Sequence, residues 1–95
     1  MRPEVIHIHD CLDGTVIKEL LLDREMCGGF VAHLGELGEL RHFTEYKRPF
    51  FRVERTGAFV LKGTQGNRRV RAVFNMKGLN ENLALVVARI NAWQR

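Results

Sequence analysis

The stretch FFRVERTGAFVLKGTQGNRRVRAVFNM, residues 50–76, holds three strand-like runs separated by two glycine-bearing turns, the pattern of an antiparallel meander. Turn chemistry and hydrophobicity together set its expected register. A two-residue turn at Thr56-Gly57 would put Arg52 on the same face as Leu61 and mix charge into the apolar side. A three-residue loop, Arg55-Thr56-Gly57, sets Gly57 in the left-handed position of a bulged turn. It pairs Val53 with Phe59 and Phe51 with Leu61, and so separates polar from apolar residues. The next hairpin keeps that separation if Leu61 faces Val70 and Lys62 faces Arg69, with residues 64–67 in the loop. One face then reads Phe51, Val53, Phe59, Leu61, Val70, Ala72, Phe74 and Met76, which is a core. The other reads Phe50, Arg52, Glu54, Ala58, Val60, Lys62, Arg69, Arg71 and Val73, a basic surface with apolar residues between the cations.

Downstream, GLNENLALVVARINAWQR places Leu83, Val86, Val87, Ile90 and Trp93 at three- and four-residue spacing after Asn80, an expected N-cap. That stripe predicts a helix packed on the apolar sheet face, with Trp93 in the core or at its rim. Upstream, Val5, His7 and His9 alternate with Ile6 and Ile8, the period of a strand. Val16, Ile17, Leu20 and Leu21 follow at helical spacing, with Asp13 or Thr15 as N-cap and Gly28-Gly29 as a stop. Residues 30–41, FVAHLGELGELR, fit either a short helix interrupted by Gly35 and Gly38 or a loop. The expected architecture is an α+β two-layer sandwich in the order β-α-β-β-β-α. Its mostly antiparallel four-stranded sheet would carry helices on one face and leave the other open.

Ninety-five residues make one domain, residues 1–95, with a modest core and little room for a deep pocket. No apolar run approaches the roughly 18–20 residues of a membrane span, and the N-terminus lacks the features of a signal peptide. A cytoplasmic protein with no membrane partner is expected, with Cys11 and Cys27 as reduced thiols. Charge is unevenly distributed. Residues 1–42 carry four Lys/Arg against eight Asp/Glu, and residues 43–95 carry eleven against three. Such a split points to an acidic partner for the second half, or to contact between the halves.

The densest cluster of reactive side chains is PEVIHIHDCLDG, residues 3–14. His-x-His on a strand sets two imidazoles about 6.5–7 Å apart on one face, a geometry that suits metal binding. Asp10, Cys11, Cys27, His33 and His42 are the weak candidates for further ligands, and the two cysteines for thiol nucleophiles, but no zinc-finger, EF-hand or metalloprotease spacing completes a site. Strand alternation accounts for the cluster without a metal: Ile6 and Ile8 enter the core and His7 and His9 face solvent. GTQGNRR lacks the Gly-Lys-Ser/Thr ending of a phosphate loop and leads into a strand. No catalytic motif and no cofactor is implied, and a non-enzymatic binding module is expected.

Arg52, Lys62, Arg69 and Arg71 on the open face, with Lys47, Arg48, Arg55 and Arg68 at its margins, suit the phosphates of RNA or DNA, and Phe50 suits a base. His7 and His9 join this face if the first strand joins the sheet. The alternative is a protein-interaction or accessory subunit, a homodimer included, docking through Phe50, Val60 and Val73 on the same face or onto an acidic protein surface. A metal- or thiol-dependent site at His7, His9 and Cys11 is a third, weaker reading.

Overall fold

The structure, a computed structural model, describes residues 1–93. Gln94 and Arg95, at the end of the stretch read as the last helix, lie outside the described residues. The elements are β1 (Glu4–Asp10), β2 (Thr15–Leu21), α1 (Gly28–Gly35), β3 (Glu39–Phe43), β4 (Phe50–Arg55), β5 (Phe59–Thr64), β6 (Arg69–Asn75) and α2 (Leu79–Asn91). They form one antiparallel six-stranded sheet in the order β1-β2-β6-β5-β4-β3, with two helices, an α+β fold. Two strands more than expected are present, and the element order is β-β-α-β-β-β-β-α.

The largest correction is at residues 15–21, a strand rather than a helix. Thr15, Val16 and Ile17 are β-branched and resist helical packing. Asp13 and Gly14 turn the chain back on β1 instead of capping a helix. The Asp13 carboxylate accepts from the Thr15 amide at 3.1 Å and the Thr15 hydroxyl at 2.6 Å, while Gly14 takes φ 86°. Val16 and Leu20 then face the core, followed by Leu22, and Ile17 and Glu19 face away. Seven residue pairs with β6, from Thr15 opposite Asn75 to Leu21 opposite Arg69, replace the helical hydrogen bonds.

Gly28 and Gly29 start a helix rather than stop one. That helix, α1, buries Phe30, Val31 and Leu34, and the second half of the 30–41 stretch becomes edge strand β3. Gly38 permits this change of direction, because a Cβ there would collide with the Glu54 carbonyl. The C-terminal helix forms as expected, although Gly78 at φ 82° is its N-cap and Asn80 lies within the first turn. Val86 and Ile90 are fully buried. Two reciprocal hydrogen bonds join the helices: His33 Nε2 donates to the Arg89 carbonyl at 2.6 Å, and Arg89 Nε donates to the His33 carbonyl at 2.9 Å.

Both hairpin registers differ from expectation by two residues. Val53 faces Leu61, Phe51 faces Gly63, Leu61 faces Ala72 and Lys62 faces Arg71. The first loop is Thr56-Gly57-Ala58, with Gly57 at φ 77° and the Ala58 amide donating to the Arg55 carbonyl at 2.9 Å. Space decides the shift. The Phe51 ring lies over Gly63, where an added Cβ would be 2.7 Å from the ring, so any side chain at that position would crowd it. A slip of two preserves the faces, and every expected core residue of the meander is buried except Met76, which is 48 % exposed beyond the end of β6.

Gly38→Ala should destabilise the protein by about 1–3 kcal/mol, the usual cost of forcing extra volume into a packed site. A urea midpoint equal to that of wild type would show that the β3–β4 approach is looser than described.

Candidate functional site

Register alone places side chains on the face away from the helices. One row across the sheet reads Glu19 on β2, Arg71 on β6, Lys62 on β5, Arg52 on β4 and Arg41 on β3. Adjacent strands are about 4.8 Å apart, so these four cations form a band about 14 Å long at the backbone. Nearer the β5–β6 turn, Arg69, Thr64, Phe50 and Phe43 lie across the sheet. On the other side of the band come Ile17, Val73, Val60, Glu54 and Glu39.

Carboxylates bound the band rather than interrupt it. Glu54 accepts from Arg52 at 2.7 Å, and Glu39 lies 3.7 Å from Arg41. Glu19 is only 8 % exposed and is held by Arg69 and by Arg71, the latter at 3.4 Å. The hydrogen bond from Arg69 holds the Glu19 carboxyl below its ordinary range. Burial opposes that effect, and the remaining attraction of both guanidiniums adds to it. Among the described residues Lys62 has no carboxylate partner, so the centre of the band is its most available cation.

Phe43 and Phe50, directly opposite on β3 and β4, stack with ring centroids 4.7 Å apart and planes 23° apart. Tyr46 lies 5.1 Å from Phe50 on the loop between those strands. Beside this wall opens a concavity of about 590 Å³, bounded by Phe43, Phe50, Lys62, Asn67, Arg69 and Arg71. Lys47 and Arg48 occupy the loop before β4 and Arg68 the turn before β6. Those two connections meet where the Gln65 amide donates to the Pro49 carbonyl at 2.8 Å. Arg55 ends β4 at the opposite end of the sheet.

No family model matches this chain, and neither the curated proteins nor the solved structures give a match. Function is therefore read from the chemistry of the face.

The histidine pair does not form as expected. β1 joins the sheet as an edge strand, but Ile8 is extruded in a bulge between His7 and His9. His7 lies opposite Lys18 on the helix side, whereas His9 lies opposite Ile17 on the open side, so only His9 joins the basic face. Ile6 and Ile8 do not enter the core: Ile6 sits opposite Glu19, and Ile8 is 41 % exposed. Lys18 Nζ approaches His7 Nδ1 at 3.3 Å, and Asp10 lies 3.4 Å from His7 Nε2. Lysine only donates, so Nδ1 accepts and the proton sits on Nε2, toward Asp10. No disulfide links Cys11 to Cys27, and among the described residues no three His, Cys, Asp or Glu converge as metal ligands. No helix among the described residues is long and apolar enough to cross a membrane.

Arg41 and Phe43 on β3 are site residues that sequence reasoning missed, as are Glu19, Tyr46, Thr64 and Asn67. The alternation of Leu40 and His42 with Arg41 and Phe43 was the available signal, obscured by the glycines before it.

Because the folded state lowers the Glu19 pKa, its ion pairs stabilise the protein above the unfolded value and lose that effect as pH falls through the folded value. Glu19→Gln should be less stable than wild type near neutrality, and the gap in urea midpoint should narrow from about pH 7 to about pH 3. A constant gap would mean that the Glu19 charge contributes nothing.

Proposed function

We propose that this protein is a non-enzymatic binding module that holds nucleic acid against the open face of its sheet. One observation carries the reading: the band of Arg71, Lys62, Arg52 and Arg41 runs beside the Phe43–Phe50 wall on the uncovered face. Phosphates need positive donors held in fixed positions, and bases need an aromatic surface. Both chemistries occur here in adjacent rows of the same face.

The ion pairs at the ends of the band are compatible with this role. A guanidinium has five N–H donors, and a carboxylate that engages one edge orients the rest. Glu19 in this way sets the direction of Arg69 and Arg71. The local balance in the concavity stays positive, with Arg52, Lys62, Arg69 and Arg71 against the single carboxylate of Glu19.

Docking of another protein through the same face has less support. Phe50 lies on one side of the cation band and Val60 and Val73 on the other, so the three do not make one apolar patch. Phe50 also spends part of its surface on Phe43 and Tyr46.

Fluorescence anisotropy with labelled RNA and DNA oligonucleotides at two salt concentrations tests the proposal. Affinity should fall steeply with salt. Arg52→Ala/Arg71→Ala and Lys62→Ala should weaken binding and reduce the salt slope by about one for each phosphate-contacting cation removed. Arg41→Ala should do the same from the edge strand. Unchanged affinity in all of these variants would overturn the reading.

A further inference from the structure

The face is not a uniform basic plane. Across the row Arg69, Thr64, Phe50, Phe43, the small Thr64 stands between a long cation and the aromatic wall. The concavity is thus a gap in the side-chain layer of β5, walled by rings on one side and by Arg69 on the other, with Lys62 and Arg71 at its edge.

Asn67 adds a directed donor. Its Oδ1 is occupied by the turn, accepting from the Arg68 amide at 2.7 Å and the Arg69 amide at 3.3 Å. Its Nδ2 donates to nothing among the described residues, and Asn67 lines the concavity. Thr64 lines it too. An aromatic wall, an amide donor and a hydroxyl-bearing residue around a space of about 590 Å³ have the dimensions and chemistry of a small-ligand site.

Resting on the nucleic-acid reading above, we propose that this concavity is a subsite for one unpaired nucleobase, and that the protein therefore selects single strands. The base lies against the Phe43–Phe50 wall with its polar edge toward Asn67 and Thr64, and the adjoining phosphates lie on Lys62 and Arg71. A base in a duplex is stacked on both faces and paired along its polar edge, so it cannot enter.

The test compares a labelled single-stranded oligonucleotide with its own duplex, on wild type and two variants. Phe50→Leu keeps an apolar contact for Phe43 and Tyr46 but removes the ring face. Thr64→Leu fills the floor of the concavity beside Phe50 while keeping both rings of the wall, so it tests the subsite even if Phe50→Leu fails to fold. Wild type should prefer the single strand. Each variant should bind the single strand about five- to a hundredfold more weakly, the range for losing one base–aromatic stack, with duplex affinity unchanged. Equal affinity of wild type for single strand and duplex would overturn the subsite, as would wild-type affinity in Thr64→Leu. Both results leave the cation band standing if Lys62→Ala still weakens binding. No binding of either form by wild type would sink both proposals.

Discussion

The pairing of β2 with β6 is the contact on which the other features depend. Its seven residue pairs join the N-terminal hairpin to the meander and convert an apolar segment with helical spacing into a strand. Both of its sides are used. Val16 and Leu20 complete the core beneath the helices, and Glu19 is set opposite Arg71, within reach of Arg69. If residues 15–21 were a helix, Glu19 would not be set opposite Arg71 at the end of the cation band, and β6 would lose the partner that these seven pairs supply.

Two helices do not cover both faces of six strands. They pack on one side, where Phe30, Val31, Leu34, Val86 and Ile90 meet Phe51, Val53, Leu61 and Phe74. The opposite side stays open, and its composition follows from strand alternation. Each strand of the meander sends most of its apolar residues inward, with Phe50, Val60 and Val73 left outward beside Arg52, Lys62 and Arg71, so antiparallel pairing brings these three cations from separate strands into line. The same alternation places Glu54 and Glu39 together beyond that line. The outcome is a face polarised along the strands, with rings and cations toward one end and Glu54 and Glu39 toward the other, while Glu19 closes the cation row at β2.

The segregated faces of residues 50–76 were legible because period-two alternation survives any register error of an even number of residues. The registers themselves were not, since room for the Phe51 ring over Gly63 is a packing fact that turn chemistry does not encode. The histidine cluster was misread for a related reason. A bulge inverts the alternation of everything beyond it, so the single extruded Ile8 separated His7 from His9 although their spacing suited one face. Arg41 and Phe43 were hidden because five residues after two glycines are too short a pattern to stand out from a loop.

By itself, the sequence determined the α+β class, the two sides of the central meander, the amphipathic C-terminal helix and the basic character of the open face. All of these follow from local periodicity, which neighbouring residues carry without reference to the rest of the chain. Tertiary structure alone decided that residues 15–21 extend, that β3 exists, that His7 and His9 part, and that Thr64 lies in a gap beside stacked rings. Each of these depends on which strand lies alongside, and long-range pairing supplies hydrogen bonds and packing partners that local propensity cannot anticipate.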